Sequence, residues 1–291
     1  YAMNILRKFA EYKQDKETAA YLDEKQEELG KLLQELCWNE DRFIRGFTEA
    51  GEVIGKRTDP EANMWLNPQS WAVISGLAKA DQADMALERV YEKLNTPYGA
   101  ILMDPPYHAH AFDGALAVIY NPGAKENAGI FCHNNPWVSI AETVIGRGNR
   151  AFEIYKKTCP SYIEDISEIH CTEPYIYSQM VAGADAVFHG QAKNSWLTGT
   201  AAWTFWNLSQ AILGVQPSYD GLCINPCIPE GFGDFKLTRT FRDAVYYIDV
   251  KNPDNVQKGV KKVVVDGKEH EGCLIPFEEG KKEYHVTVYM G

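Results

Sequence analysis

Three stretches of the sequence are dense in residues that can hold a sugar and an anion. Tyr120 to Trp137 carries Tyr120, Lys125, Glu126 and His133; His170 to Met180 carries Glu173 and Gln179; His189 to Thr200 carries Lys193, Trp196, Thr198 and Gly199. A sugar is held by carboxylates and amides that bind paired hydroxyls, with aromatic faces against the ring's C–H surface, and Tyr120, Glu126 and Gln179 suit that work. An anion needs donors and positive charge. Thr198-Gly199-Thr200 opens the most hydrophobic stretch of the chain, read as a helix, where free N–H groups and the helix dipole favour negative charge. Gly199 would let the backbone come close and Thr198 would add a hydroxyl, while His133, Lys125 and Lys193 could supply charge. Each of the sugar-binding candidates alone reads more readily as a packing or capping residue, and Thr198-Gly199 equally well as an ordinary helix start. Their density in loops between helices favours function, because sites concentrate on loops held by a rigid scaffold.

The scaffold is predicted to change character along the chain. Leu22, Leu29, Leu33 and Leu36 form one stripe of an amphipathic helix over 17–37. Helices are expected over 70–80 and 82–94, with Asp81 as the cap of the second, over 137–145, stopped by Gly146, Gly148 and Asn149, and over 194–214. Beyond Gly214 the pattern becomes short alternating runs at 222–224, 235–241, 245–250, 260–265 and 284–289, with an Asp-Gly hairpin signature at Val265-Asp266-Gly267-Lys268. Two domains follow, 1–214 helical and 215–291 a β-sandwich, giving an α+β multidomain chain.

Composition narrows the partners. With 29 Lys+Arg against 40 Asp+Glu the net charge is −11, which argues against a nucleic-acid partner. No run of eighteen apolar residues suggests a membrane span, and the amino terminus lacks a signal-peptide pattern. The seven cysteines are odd in number, form no CxxC pair, and include no zinc-like set around Cys223 and Cys227. Free thiols in a reducing cytoplasm are expected.

Pro122-Gly123-x-Lys125-Glu126-Asn127-x-Gly129-Ile130-Phe131-Cys132-His133, Thr172-Glu173-Pro174-Tyr175 and the run Ala192-Lys193-Asn194-Ser195-Trp196-Leu197-Thr198-Gly199-Thr200-Ala201-Ala202-Trp203 resemble the glycoside hydrolase family 94 phosphorylases, of which cellobiose phosphorylase is one. Tyr219-Asp220-Gly221-Leu222 and Pro226-Cys227-Ile228-Pro229 add to the likeness. The resemblance implies the carboxy-terminal part of an (α/α)6 barrel followed by a jelly-roll-like β-sandwich. It implies that His133, Thr198 and Gly199 bind phosphate, that Glu126 and Gln179 hold the transferred glycosyl unit, and that Tyr120 and Lys125 line the acceptor side. The family's general-acid Asp lies in a Trp-Asn-Asp-type segment that does not occur here. By family order it is expected upstream of Tyr1, a start that is itself not Met, so no catalytic residue is assigned within this chain. Three departures stand out: Leu116 where cellobiose-specific members have Glu, Cys171 in place of a usual Arg, and Gln191 in place of a usual Glu. Leu116 opens the choice of acceptor to laminaribiose or another β-linked glucoside.

The implied reaction is reversible inverting phosphorolysis of a β-linked glucose disaccharide to α-glucose 1-phosphate and a free sugar. No metal or organic cofactor is expected, since phosphate is a substrate. The implied partners are sugar, phosphate, the missing upstream part of the same enzyme and, within the family, a second copy as homodimer. Two alternatives remain: an inverting hydrolase with Glu126 or Glu173 as base, and a catalytically incomplete sugar-binding fragment. A barrel lacking several helices leaves apolar faces uncovered, so the chain alone is expected to associate.

Overall fold

A computed structural model describes residues 1–108 and 119–291, and all structural statements below concern those residues. Leu116 lies outside them. The chain is a mixture of helices and several small sheets, and none of its helices is long and apolar enough to cross a membrane.

The amphipathic stripe becomes helix α2, Lys16–Cys37, whose first turn is closed by Asp15: its carboxylate accepts from the Thr18 N–H at 3.0 Å and from the Thr18 hydroxyl at 2.7 Å. Helix α1, Ala2–Tyr12, precedes it. The expected hairpin is present but shifted: α3 is Leu66–Ile74 and α4 is Ala80–Lys93. Asp81 is not the cap. It lies in the first turn of α4, and the Gln82 side chain reaches back to accept from the Lys79 N–H at 3.0 Å, which satisfies the helix start without Asp81. Helices α5, Asn135–Val144, and α6, Gly148–Thr158, follow, so Gly148 begins a helix where a stop was expected. Helix α7 is Ser167–His170 and α8 is Thr200–Trp206, the latter continuing as a π-helix over Asn207–Ile212.

The expected helix over 194–214 is corrected at its start. Residues Ala192–Ser195 form a strand paired antiparallel to Ser178–Val181, with Asn194 at φ 54° and Trp196 at φ 72°. Two left-handed residues so close together break any helix, and the strand's partner lies too far along the chain for local periodicity to reveal.

The chain divides into two compact units, one of 1–141 with 153–204, the other of 142–152 with 205–291. In the first, Met64, Leu66, Val90, Leu94, Ile130, Val138 and Val181 belong to one buried cluster that draws on α4, α5 and the strands Ile130–Phe131 and Ser178–Val181. In the second, a five-stranded sheet runs in the order 235–241, 244–251, 283–290, 260–265, 268–270. Strands Ala244–Lys251 and Glu283–Met290 are parallel neighbours and bury alternate residues, Tyr246, Ile248 and Val250 on one and Tyr284, Val286 and Val288 on the other. Tyr246 and Tyr284 stack at 4.3 Å with rings 2° from parallel. The strand expectations here are met: Phe235–Phe241 and Val260–Val265 coincide with them, and Val265 pairs with Lys268 across the Asp-Gly turn.

Candidate functional site

All seven proposed site residues lie in the first unit, and the segments that carry them each contribute a strand to one three-stranded sheet, in which Gln179 itself lies. Its order is Ala192–Ser195, Ser178–Val181, Ile130–Phe131. Each strand carries one of the three chemically dense segments. Met180 is level with Phe131 on one side and Lys193 on the other, and Ser178 is level with Ser195. The Cys132 N–H donates to the Gln179 carbonyl at 2.9 Å, and the chain then turns through His133 into α5.

The Thr198-Gly199 turn is tied to the same row. The Thr200 hydroxyl donates to the Ser178 carbonyl at 3.2 Å, and the Thr200 N–H donates to the Thr198 hydroxyl at 3.1 Å. A second link is aromatic. The His133 ring meets Phe131 at 5.1 Å and Trp137 at 5.4 Å, both edge to face, and Trp137 meets Trp203 at 5.5 Å. The backbone N–H of Trp203 in turn donates to the Gly199 carbonyl at 3.1 Å. His133, Thr198 and Gly199 are therefore held by one network of strand pairing and edge-to-face rings.

Gln179 stands beside this turn. Its amide donates to the Leu197 carbonyl at 3.2 Å and accepts from the Asn194 amide at 2.9 Å, spanning the kinked stretch that leads into Thr198. Tyr120 and Lys125 line a cavity of about 800 Å³ together with Asp185, Gln191, Lys193 and Asn194. The Lys125 ammonium lies 5.4 Å from the Tyr120 ring centroid, a cation–π contact. Asn194 joins the two regions, since it lines the cavity and bonds Gln179. Glu126 is not brought in: it is exposed next to Lys125 and does not line the cavity.

The loop bearing Lys125 owes its shape to motif residues that carry no charge. Gly123 has φ 79°, and a Cβ there would lie 2.3 Å from the Ala186 nitrogen; at Gly129 it would lie 2.5 Å from the Lys125 nitrogen. Asn127 is fully buried and bonds the backbone of both Tyr107 and Tyr120. The signal for these residues in the sequence was the spacing of the glycines around Asn127, which marks close backbone approach. Trp137 was also missed as a neighbour of His133, and its buried indole nitrogen has no hydrogen-bond partner among the described residues.

Of the remaining departures, Cys171 is exposed and left-handed at φ 56°, closing α7. Its thiol donates to the Glu168 carbonyl at 2.9 Å. Glu173, a candidate base, is exposed and accepts from the Trp196 indole at 3.3 Å, and its own backbone and Ser195 hold its carboxyl below the usual range. Among the described residues no His/Cys/Asp/Glu cluster could hold a metal ion, and all seven cysteines are free.

Burial pushes the His133 imidazole below its ordinary value, and His170 likewise. The folded protein therefore favours the neutral rings. The stability they contribute is fully present above the unfolded value, near ~6.5, and is lost as pH falls through the lowered folded values. An anion beside His133 reverses the local balance by favouring the imidazolium. Followed by its ring-proton NMR signal, His133 is expected to titrate below ~6.5 in phosphate-free buffer and to move upward when phosphate is added. An unchanged midpoint counts against an anion at this ring.

Residues 1–214 match the family described as glycosyl hydrolase 94 superfamily, catalytic domain. The chain is 38% identical over 270 residues to an N,N'-diacetylchitobiose phosphorylase of Vibrio proteolyticus, covering 91% of this chain and 34% of that protein. It is 36% identical over 297 residues to the same-named protein of Vibrio furnissii, covering 100% of this chain and 36% of the other. A solabiose phosphorylase of Paenibacillus borealis is 34% identical over 253 residues, covering 87% and 33%. The chain thus spans about a third of the length of these curated relatives.

Proposed function

We propose, because this chain belongs to the glycosyl hydrolase 94 superfamily, that it is the carboxy-terminal part of an inverting phosphorylase acting on a β-linked glucose disaccharide, cellobiose- or laminaribiose-like. The single observation that carries this reading is the three-stranded sheet, which joins the segments bearing His133, Gln179 and the Thr198-Gly199 turn.

In this reading a phosphate oxygen attacks the anomeric carbon while the glycosidic C–O bond breaks. The departing oxygen takes a proton from a general-acid Asp supplied from outside these residues, and the products are α-glucose 1-phosphate and a free sugar. An inverting hydrolase needs a second carboxylate to activate water; phosphate is already a nucleophile, so the protein's work is to position it and offset its charge. His133, Thr198 and Gly199 do so. Gln179 holds the transferred glucosyl unit, with Glu126 reaching it only after its exposed side chain swings inward. Tyr120 and Lys125 serve the acceptor. The chemistry calls for no metal or organic cofactor.

The architecture we assign is the closing part of an (α/α)6 barrel through residue 214 and a jelly-roll-like sandwich over 215–291. A cytoplasmic setting suits the free thiols. The remainder of the enzyme, and in the family arrangement a second copy, would cover the apolar side chains left exposed at Tyr175, Val187, Phe188, Trp196 and Leu197.

The test is turnover of cellobiose and laminaribiose by the assembled enzyme with and without phosphate, products followed by ³¹P NMR. Glucose 1-phosphate of α configuration, formed only when phosphate is present, is the expected result. Equal cleavage in phosphate-free buffer would falsify the phosphorylase reading in favour of the hydrolase.

A further inference from the structure

We infer that Cys223 and Cys273 form a modification site, a dithiol that hydrogen peroxide converts reversibly to a disulfide. The two are distant in sequence and meet because Gly221–Ile224 and Leu274–Pro276 are antiparallel neighbours in a three-stranded sheet of the second unit. Cys223 is level with Leu274, and the Ile224 N–H donates to the Cys273 carbonyl at 2.9 Å. The cysteine backbones therefore stand one register step apart, a separation that a disulfide spans. Both thiols are free and half-buried. Among the described residues no other two cysteines are brought together by paired strands.

The surroundings give the two thiols different roles. Cys273 follows left-handed Gly272, φ 75°, and lines a surface cavity of about 630 Å³ with Lys261, Lys262 and His270, where a small oxidant can reach it. Cys223 does not line that cavity; burial, and then the Cys273 thiol beside it, push its thiol up to about 12. Cys273 is therefore oxidised first. Its thiol gives a proton to water and its sulfur attacks one peroxide oxygen; the O–O bond breaks, the departing hydroxide recovers a proton as water, and Cys273 becomes a sulfenic acid. The Cys223 sulfur then attacks that of Cys273: the S–S bond forms, the S–O bond breaks, and the released hydroxide leaves as water with the Cys223 proton. Two thiols thus give up two electrons and two protons, and one peroxide becomes two waters. The new bond closes a loop that holds strands 235–241, 244–251, 260–265 and 268–270, which restricts the unfolded chain and steadies the folded one.

The experiment exposes the reduced, folded chain to hydrogen peroxide, alkylates the remaining thiols with iodoacetamide in denaturant, and maps the cysteines by peptide mass spectrometry. The peptides of Cys223 and Cys273 are expected joined as the main cross-link, about 2 Da lighter than the two free peptides together, and separated again by dithiothreitol. The melting midpoint of the oxidised chain is expected to rise by about 5 °C or more. In Cys223→Ser, Cys273 is expected to stop at the sulfenic acid and take up dimedone, whereas in Cys273→Ser, Cys223 is expected to stay an alkylatable thiol. Recovery of both cysteines as alkylated thiols, at a peroxide dose that fully oxidises glutathione in the same tube, overturns the inference. So does a cross-link of either to a different cysteine. A cross-link that leaves the midpoint of the whole sample unmoved overturns it as well, because the bond then forms in an unfolded fraction rather than between the paired strands.

Discussion

Asn127→Ala is expected to destabilise the protein by about 3–5 kcal/mol, measured by chemical denaturation, and to weaken sugar binding in the Tyr120–Lys125 cavity. Asn127 has no exposed surface. Its side-chain oxygen accepts from the Tyr107 N–H at 2.8 Å, and its amide donates to the carbonyls of Tyr107 at 2.9 Å and Tyr120 at 2.9 Å. Alanine removes three hydrogen bonds to backbone groups, one to a donor and two to acceptors, in a place closed to water, each at a cost of roughly 1–3 kcal/mol, reduced by whatever relaxation the loop allows. Asn127→Asp separates donor from acceptor: the carboxylate still accepts from Tyr107 but repels both carbonyls. It should be no more stable than the alanine variant, since it adds a buried charge. The link to function is positional. Tyr120 is bonded directly by Asn127, and Lys125 sits in the tight turn closed by the Asn127 N–H donating to the Ala124 carbonyl at 3.0 Å. A loss below about 1 kcal/mol for Asn127→Ala would show that the loop is held by other means.

Asn127 also marks the boundary of what the amino-acid sequence discloses. In the second unit, reading was direct: alternation along 244–251 and 283–290 reports one buried face, and Asp266-Gly267 announces its hairpin, because both signals are local in sequence. The stripe of α2 is legible for the same reason. The sheet that organises the site is not. Asn194 and Ser195 look like the opening of an apolar helix until Ala192–Ser195 is paired with Ser178–Val181, and that pairing depends on residues a dozen positions away and on left-handed Asn194 and Trp196. The chemistry of His133, Thr198 and Gln179 could be named from residue type and motif, yet the joining of their segments could not, since it depends on strand register and on contacts between distant residues. Glu126 shows the opposite failure. A carboxylate beside a lysine in a dense motif suggests a ligand, but the turn at Lys125, φ 47°, leaves Glu126 exposed and outside the cavity lining. Gly123 and Gly129 were visible as glycines; what they avoid, the backbones of Ala186 and Lys125, was not.

His133→Ala is expected to lower kcat/KM for phosphate by about 100-fold or more in the assembled enzyme, and Thr198→Val by about 10–100-fold, with the disaccharide's apparent affinity changed far less. The asymmetry between the two follows from hydrogen-bond accounting at the turn. The Thr200 hydroxyl has one proton, and a carbonyl can only accept, so that proton goes to Ser178 at 3.2 Å. The 2.6 Å contact between the two threonine hydroxyls must then use the proton of Thr198. Phosphate that takes a hydrogen bond from Thr198 has to turn this hydroxyl away from Thr200, so part of what it gains there is offset by the bond it breaks. His133 carries no such debt: its ring makes aromatic contacts on Phe131 and Trp137 and, on protonation, meets the anion with charge as well as a donor. Thr198→Ser should keep most activity, since it retains the hydroxyl, whereas Thr200→Val should mimic part of the Thr198 defect by loosening the tie to Ser178. The double variant His133→Ala/Thr198→Val is expected to fall short of the product of the single losses, because both groups act on one bound ion. If instead both single variants lower kcat/KM for the disaccharide as much as for phosphate, the two residues serve the fold or the sugar, and the anion is held elsewhere.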